Sequence, residues 1–236
     1  MRRPSDQNQG ARPWILRLGA IVAGLAAAFA HPPFGFLPGL LGYAGLIWLC
    51  DHAADARPLR SAFLRGWLAG LGYFAVSTWW VGEAFFVNAK DQGWMAPFAV
   101  VLLAAGLALF WGAACALYRA TPASGAWRAL TFAGAFCAFE WLRGHVLTGF
   151  PWDLAGETWK AGSYPSQAAS IVGAYGLSWI TLAALATLGV GWRTRDARIA
   201  MALGVLAVAG LYGFGALRLA GAGARPAADA PVVRIV

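Results

Sequence analysis

Seven apolar segments, at about 14–30, 34–50, 63–86, 94–118, 126–147, 166–192 and 199–219, occupy most of this 236-residue chain. Crossing a hydrocarbon core takes roughly 20 helical residues, and most of the segments reach that length. The pattern predicts an all-α polytopic membrane protein, a bundle of about seven transmembrane helices over residues 14–219. The rest of the composition agrees. Hydrophobic residues make up 60% of the chain and charged ones 12%, against roughly 25% charged in ordinary globular proteins. Thirteen tryptophans and thirty glycines fit the same class, because indoles anchor at the headgroup level and small residues let helices approach closely.

The first two segments are short and separated only by His31-Pro32-Pro33, so they could form a hairpin or one kinked span. Charge distribution favours the hairpin. It collects twelve arginines on one side (residues 2, 3, 12, 17, 57, 60, 65, 119, 128, 193, 195 and 198), leaving six basic residues on the other. A single first span would divide them ten to eight. The positive-inside rule then makes residues 1–13 a cytoplasmic tail and puts the loops at 31–33, 87–93 and 148–165 outside, with the C-terminus. A signal-peptide reading of the start, with Ala28-Phe29-Ala30 as cleavage site, is weaker because prolines and further spans follow at once.

The net charge of +8 is therefore a matter of topology. The arginines form no contiguous patch, which argues against nucleic acid as a partner. Cys50, Cys115 and Cys137 fall in or beside apolar runs without CxxC or histidine spacing, as small buried hydrophobes do. His31 and His145 have no acidic or sulfur neighbours at ligand spacing, so no metal site is expected. They read as interfacial residues with local hydrogen bonds. The glycines of Gly66-x-x-x-Gly70, and Gly35, Gly39 and Gly42, mark helix contacts. Residues 220–231 have linker composition, and 232–236, Val-Val-Arg-Ile-Val, is a β-branched run of strand type.

Chemistry concentrates at Glu140 to Trp152, E-W-L-R-G-H-V-L-T-G-F-P-W. An ionisable side chain costs about 2.5 to 3.5 kcal/mol at the centre of a membrane helix, so it persists mainly where something pairs or uses it. Glu140 and Arg143 are three apart on one helical face. An intrahelical ion pair is the simpler reading. The alternative is that Arg143 grips a lipid phosphate with its planar fork. Glu83, near the outer end of the third segment, could cap, pair with Lys90 or face a cavity.

Five stretches in order carry a resemblance: Pro32-Pro33-Phe34-Gly35, residues 66–74 (G-W-L-A-G-L-G-Y-F) leading into Thr78-Trp79-Trp80, residues 140–144, residues 148–152 and residues 173–179 (G-A-Y-G-L-S-W). Together they resemble the membrane part of the apolipoprotein N-acyltransferase family. That resemblance implies a multi-pass protein of the bacterial inner membrane, involved in lipoprotein biosynthesis, whose bundle leads into a periplasmic nitrilase-like domain. Residues 232–236 would be the first strand of that α/β domain, otherwise missing. It implies an acyltransferase with two partners, a membrane phospholipid as acyl donor and a diacylglyceryl apolipoprotein as acceptor. The acyl chain passes through a cysteine thiolate to the α-amino group of the N-terminal diacylglyceryl-cysteine. The family's glutamate, lysine and cysteine triad lies in the nitrilase-like domain, so no residue here is expected to be catalytic, no cofactor is called for, and the chain alone should be inactive. Glu140, Arg143, Phe150, Pro151 and Trp152 are the candidate substrate-binding residues. Trp94, Trp141 and Trp159 read as interfacial anchors. The rival classes are a transporter or channel and a non-catalytic scaffold; no inverted repeat of transporter type is evident.

Overall fold

The computed structural model describes residues 13–53 and 56–221. The linker from 222 onward, the expected strand at 232–236 and most of the N-terminal tail lie outside the described residues. Within them the chain is all-helical. The helices are α1 (Pro13–Phe29), α2 (Leu41–Asp51), α3 (Pro58–Ser77), the single turn α4 (Ala89–Gln92), α5 (Ala96–Ala120), α6 (Trp127–His145), α7 (Ala169–Val190) and α8 (Arg195–Gly221). Prolines open several of them: Pro58 begins α3 and Pro97 sits in the first turn of α5. There the missing N–H is no loss and the fixed φ is already helical. By length and composition, Ala89–Ala120, Pro165–Val190 and Arg195–Gly221 are long and apolar enough to cross a membrane, and Pro13–Phe29 and Leu37–Asp51 are shorter apolar helices.

Glycines bring the first helices into backbone contact. A Cβ on Gly66 would lie 2.5 Å from the carbonyl oxygen of Trp111, and one on Gly70 would lie 2.9 Å from Cα of Ala108. The Gly66-x-x-x-Gly70 stripe of α3 is thus the seam with α5, as its spacing suggests. Over this seam lies an aromatic core. Tyr73 stacks on Trp111 at 4.6 Å and Trp111 meets the edge of Phe136 at 5.3 Å. Cys50 and Cys115 are buried, and the half-buried Cys137 thiol donates weakly to the Tyr175 carbonyl at 3.5 Å.

The third apolar segment does not run to Phe86 as one α-helix. Thr78 ends α3: its hydroxyl and its amide both donate to Phe74 O, at 2.6 and 2.9 Å. A 3-10 stretch, Trp79–Phe86, follows, with Glu83 exposed. The ends of the bundle are recognisable from exposed tryptophans. Trp14, Trp127 and Trp192 mark one end; Trp79, Trp80, Trp94, Trp141 and Trp152 mark the other, which carries the long loop after α6.

Candidate functional site

The loop between α6 and α7 is folded back onto the bundle. Its geometry starts where α6 stops. Val146 turns extended and Gly149 takes φ 74, a conformation glycine adopts without steric cost. A Cβ there would lie 2.5 Å from Gly144 O. The reversal lets Phe150 N–H donate to Arg143 O at 2.8 Å. From the same residue the guanidinium reaches the loop: Arg143 Nη1 donates to Phe150 O at 2.9 Å and to Trp152 O at 2.7 Å. Arg143 is 2% exposed and lies over the Phe74 ring, 5.1 Å from its centroid, while its Nε and Nη2 have no partner.

Glu140, also buried, accepts from Ala155 N–H through Oε1 at 3.2 Å. Among the described residues the ion pair that forms is Arg128 with Asp51, at the opposite end. The expected intrahelical pair of Glu140 and Arg143 is therefore replaced: both side chains turn off the helix face and hold the loop backbone. At the next residue, Gly156 N–H donates to Ser178 Oγ at 2.9 Å, and a Cβ on Gly156 would lie 2.6 Å from Ser178 N. The loop is seated on α7 as closely as helices pack on one another.

His31 completes the attachment and corrects the sequence reading. It is buried, and its Nε2 lies 2.7 Å from Tyr73 Oη and 2.9 Å from Thr158 Oγ1, partners far away in the chain. Tyr73 spends its one hydrogen on Asp153 O at 2.9 Å, so toward His31 it accepts and the proton of that contact sits on Nε2. Burial, helped by the nearby Arg143 charge, pushes the His31 pKa down to about 4. Burial lifts the neighbouring Asp153 carboxyl to about 6, with Ser77 and Arg143 holding it back. His145, by contrast, is exposed and bonds locally, Nδ1 to Trp141 O at 2.7 Å.

The five candidates divide into two groups. Glu140 and Arg143 are buried holders of the loop. Pro151 and Trp152 form its turned-out surface, while Phe150 is half-buried against the core; Trp152 is 54% exposed and meets Phe150 at 5.0 Å and Trp80 at 6.3 Å, edge to face in both. Trp159 is not an anchor at the interface. It is 8% exposed, and its Nε1 donates to Thr181 Oγ1 at 2.9 Å. Trp94 and Trp141 are exposed, as anchors would be. A cavity of about 660 Å³ opens beside the loop, lined by Pro32, Trp159, Lys160, Ser163, Tyr164 and Tyr212 among others, and none of the five candidates reaches it. Among the described residues no His, Cys, Asp and Glu side chains gather as a metal-binding set.

Sequence reasoning missed Tyr73, Thr158, Ser178 and Thr181 as members of this site. The signal was present. His31 adjoins the Pro-Pro-Phe-Gly stretch, Tyr73 lies in residues 66–74 and Ser178 in residues 173–179, so the stretches that carried the resemblance converge on one loop.

The profile of the apolipoprotein N-acyltransferase N-terminal domain matches residues 23–188, from within α1 almost to the end of α7. An apolipoprotein N-acyltransferase of Caulobacter vibrioides is 65% identical over 208 residues, covering 88% of this chain and 39% of that protein. Relatives of the same name from Allorhizobium ampelinum and Rhizobium leguminosarum bv. trifolii are 37% and 39% identical, over 87% and 92% of this chain. The chain spans about two fifths of the length of these curated relatives. With a profile match over more than half its length and the matched stretches converging on one site, this chain belongs to the apolipoprotein N-acyltransferase N-terminal domain family.

Proposed function

We propose that this chain is the membrane-embedded part of an N-acyltransferase that moves an acyl chain from phospholipid to the α-amino group of a diacylglyceryl-cysteine at the start of an apolipoprotein. The observation that carries the reading is the clamped loop. Five stretches of the family pattern meet there, and the clamp turns Pro151 and Trp152 outward, with the half-buried Phe150 packed behind Trp152. Glu140, Arg143 and His31 act as positioning residues; the exposed aromatics meet the acyl chains of donor or acceptor arriving from the bilayer. Arg143 would touch a headgroup only if the loop lifted. The transferring nucleophile lies outside residues 1–236, since Cys50 and Cys115 are buried and Cys137 has only a carbonyl partner. A transporter or channel draws less support, because Glu140 and Arg143 are spent on holding loop backbone.

In this reading α1, α2, α3, α5, α6, α7 and α8 each traverse the bacterial inner membrane. The arginine-rich end is cytoplasmic and the loop end periplasmic. Labelling of single cysteines in intact cells tests this. Reagent reaching residue 157 but not residue 57 from outside is the expected outcome, and the reverse would refute the sidedness. For the activity, the complete protein that carries this chain is assayed with phospholipid and a diacylglyceryl-cysteine peptide. Appearance of an N-acylated product is expected; its absence in a folded, membrane-inserted preparation would overturn the assignment.

A further inference from the structure

The end of the bundle opposite the loop holds a feature that the proposed acyl transfer does not use. The start of α1, the end of α2 and the start of α3 surround an open cavity of about 460 Å³. Arg17, Arg57, Arg60, Arg65 and His52 line it, and Leu16 and Leu64 supply apolar wall. Among the described residues no carboxylate lines it. Asp51, at the end of α2, is already engaged by Arg128 and by the Tyr118 hydroxyl.

The site is built rather than merely basic. Arg65 is 6% exposed, and its Nη1 donates to Leu49 O, which ties the guanidinium between α2 and α3. His52 is set by its own helix: Nδ1 bonds to Trp48 O at 2.8 Å and the ring lies on Trp48 at 4.1 Å. A carbonyl can only accept, so Nδ1 carries the hydrogen, and Nε2 of the neutral ring is left to accept from a headgroup hydroxyl and not to donate to a phosphate oxygen. Exposed arginines alone would follow from the positive-inside rule. A buried arginine at their centre, beside a hydrocarbon wall, would not.

Four guanidinium groups around a half-apolar space match an anion with a hydrocarbon part. Zwitterionic lipids bring their own ammonium, which these arginines repel; basic pockets between membrane helices suit anionic headgroups. We infer that this cavity binds an anionic phospholipid of the phosphatidylglycerol or cardiolipin class, its phosphate among Arg17, Arg57, Arg60 and Arg65 and its first methylenes against Leu16 and Leu64. The inference rests on the membrane reading and not on acyl transfer. The 17 residues of α1, roughly 25 Å of helix at 1.5 Å per residue, separate this cavity from the His31 end where the loop is attached.

Native mass spectrometry of the intact protein in detergent, titrated with phosphatidylglycerol, cardiolipin or phosphatidylcholine, tests it. Both anionic lipids should bind at least tenfold tighter than phosphatidylcholine. R17Q/R57Q/R60Q should abolish most of that preference, with Arg65 left intact to keep the packing. R193Q/R195Q/R198Q, which removes as many exposed arginines from the α7–α8 turn at the same end, should retain it. Equal binding of the three lipids, equal loss in both variants, or displacement of the lipid by millimolar inorganic phosphate would overturn the proposal. Should the triple variant fail to fold, R57Q alone decides by the same criterion. None of these readouts uses catalysis, so an inactive protein that still selects anionic lipid would refute the acyltransferase reading and leave this one standing.

Discussion

The two ends of the bundle handle charge in opposite ways. At the loop end Glu140, Arg143 and His31 are buried, and each reaches a partner on another segment. At the other end Arg17, Arg57 and Arg60 stay exposed around an open cavity, and of its four arginines only Arg65 is buried and tied to another helix. A buried charge is stable only where its surroundings are fixed, so it specifies where the neighbouring chain must lie. An exposed charge specifies little about the fold and remains available to whatever approaches. The loop end is thus a positioned surface and the arginine end a receptive one.

That contrast breaks most visibly at Arg143. Arg143→Met removes both bonds to the loop carbonyls and strands Glu140 without its neighbouring charge. The expected loss is about 3 kcal/mol or more, seen as a lower melting temperature in detergent and faster tryptic cleavage at Lys160. Unchanged cleavage would mean the loop is held some other way. Next in size is Trp159→Ala, which empties a buried site and leaves the Thr181 hydroxyl without its donor. It should cost about 3 kcal/mol. Trp152→Ala, on the exposed face of the same loop, should shift stability by under about 0.5 kcal/mol. Equal effects would erase the distinction between the holding and the presenting sides of the loop.

Smaller and pH-dependent is Asp153→Asn. Asp153 titrates at about 6 in the fold against an ordinary 3.8, so the fold favours its protonated form. That contribution is fully present below pH 3.8 and is lost as pH rises through 6. The asparagine variant should therefore gain about 1 to 2 kcal/mol at pH 7.5, after allowance for partial exposure, and converge with the parent toward pH 4. His31, with its pKa lowered from 6.5 to about 4, works in the other direction: the stability of its neutral form is lost as pH falls from 6.5 toward 4. A His31→Gln variant should flatten the acid side of the profile. The smallest effect belongs to R17Q/R57Q/R60Q, which should leave the melting temperature unmoved.

Most helix positions and the contact role of Gly66-x-x-x-Gly70 were legible because apolar length and small-residue spacing are local signals, but the partner of that stripe, Trp111, was not. The direction in which Glu140 and Arg143 point was not. Their three-residue spacing suits an ion pair, and only the return of the chain at Gly149 supplies the carbonyls that compete for Arg143. Trp159 was misread for the same reason. An aromatic residue in an outside loop is usually at the interface, and its burial depends on Thr181, 22 residues away. His31 joins Thr158 across 127 residues, a pairing no local pattern announces. The break after Ser77 was written more openly, in a threonine able to cap Phe74 O, but the apolar run continues through it and masks it.

In the proposed function the clamp on the α6–α7 loop presents Trp152 to the lipid substrates. That role is tested most directly by measuring acyl transfer to a diacylglyceryl-cysteine peptide, alongside the melting temperature, for the complete protein and its Trp152→Ala variant. Turnover lowered several-fold or more with an unchanged melting temperature is the expected outcome. A Trp152→Ala protein that is fully active, or that loses activity only because it no longer folds, would contradict it.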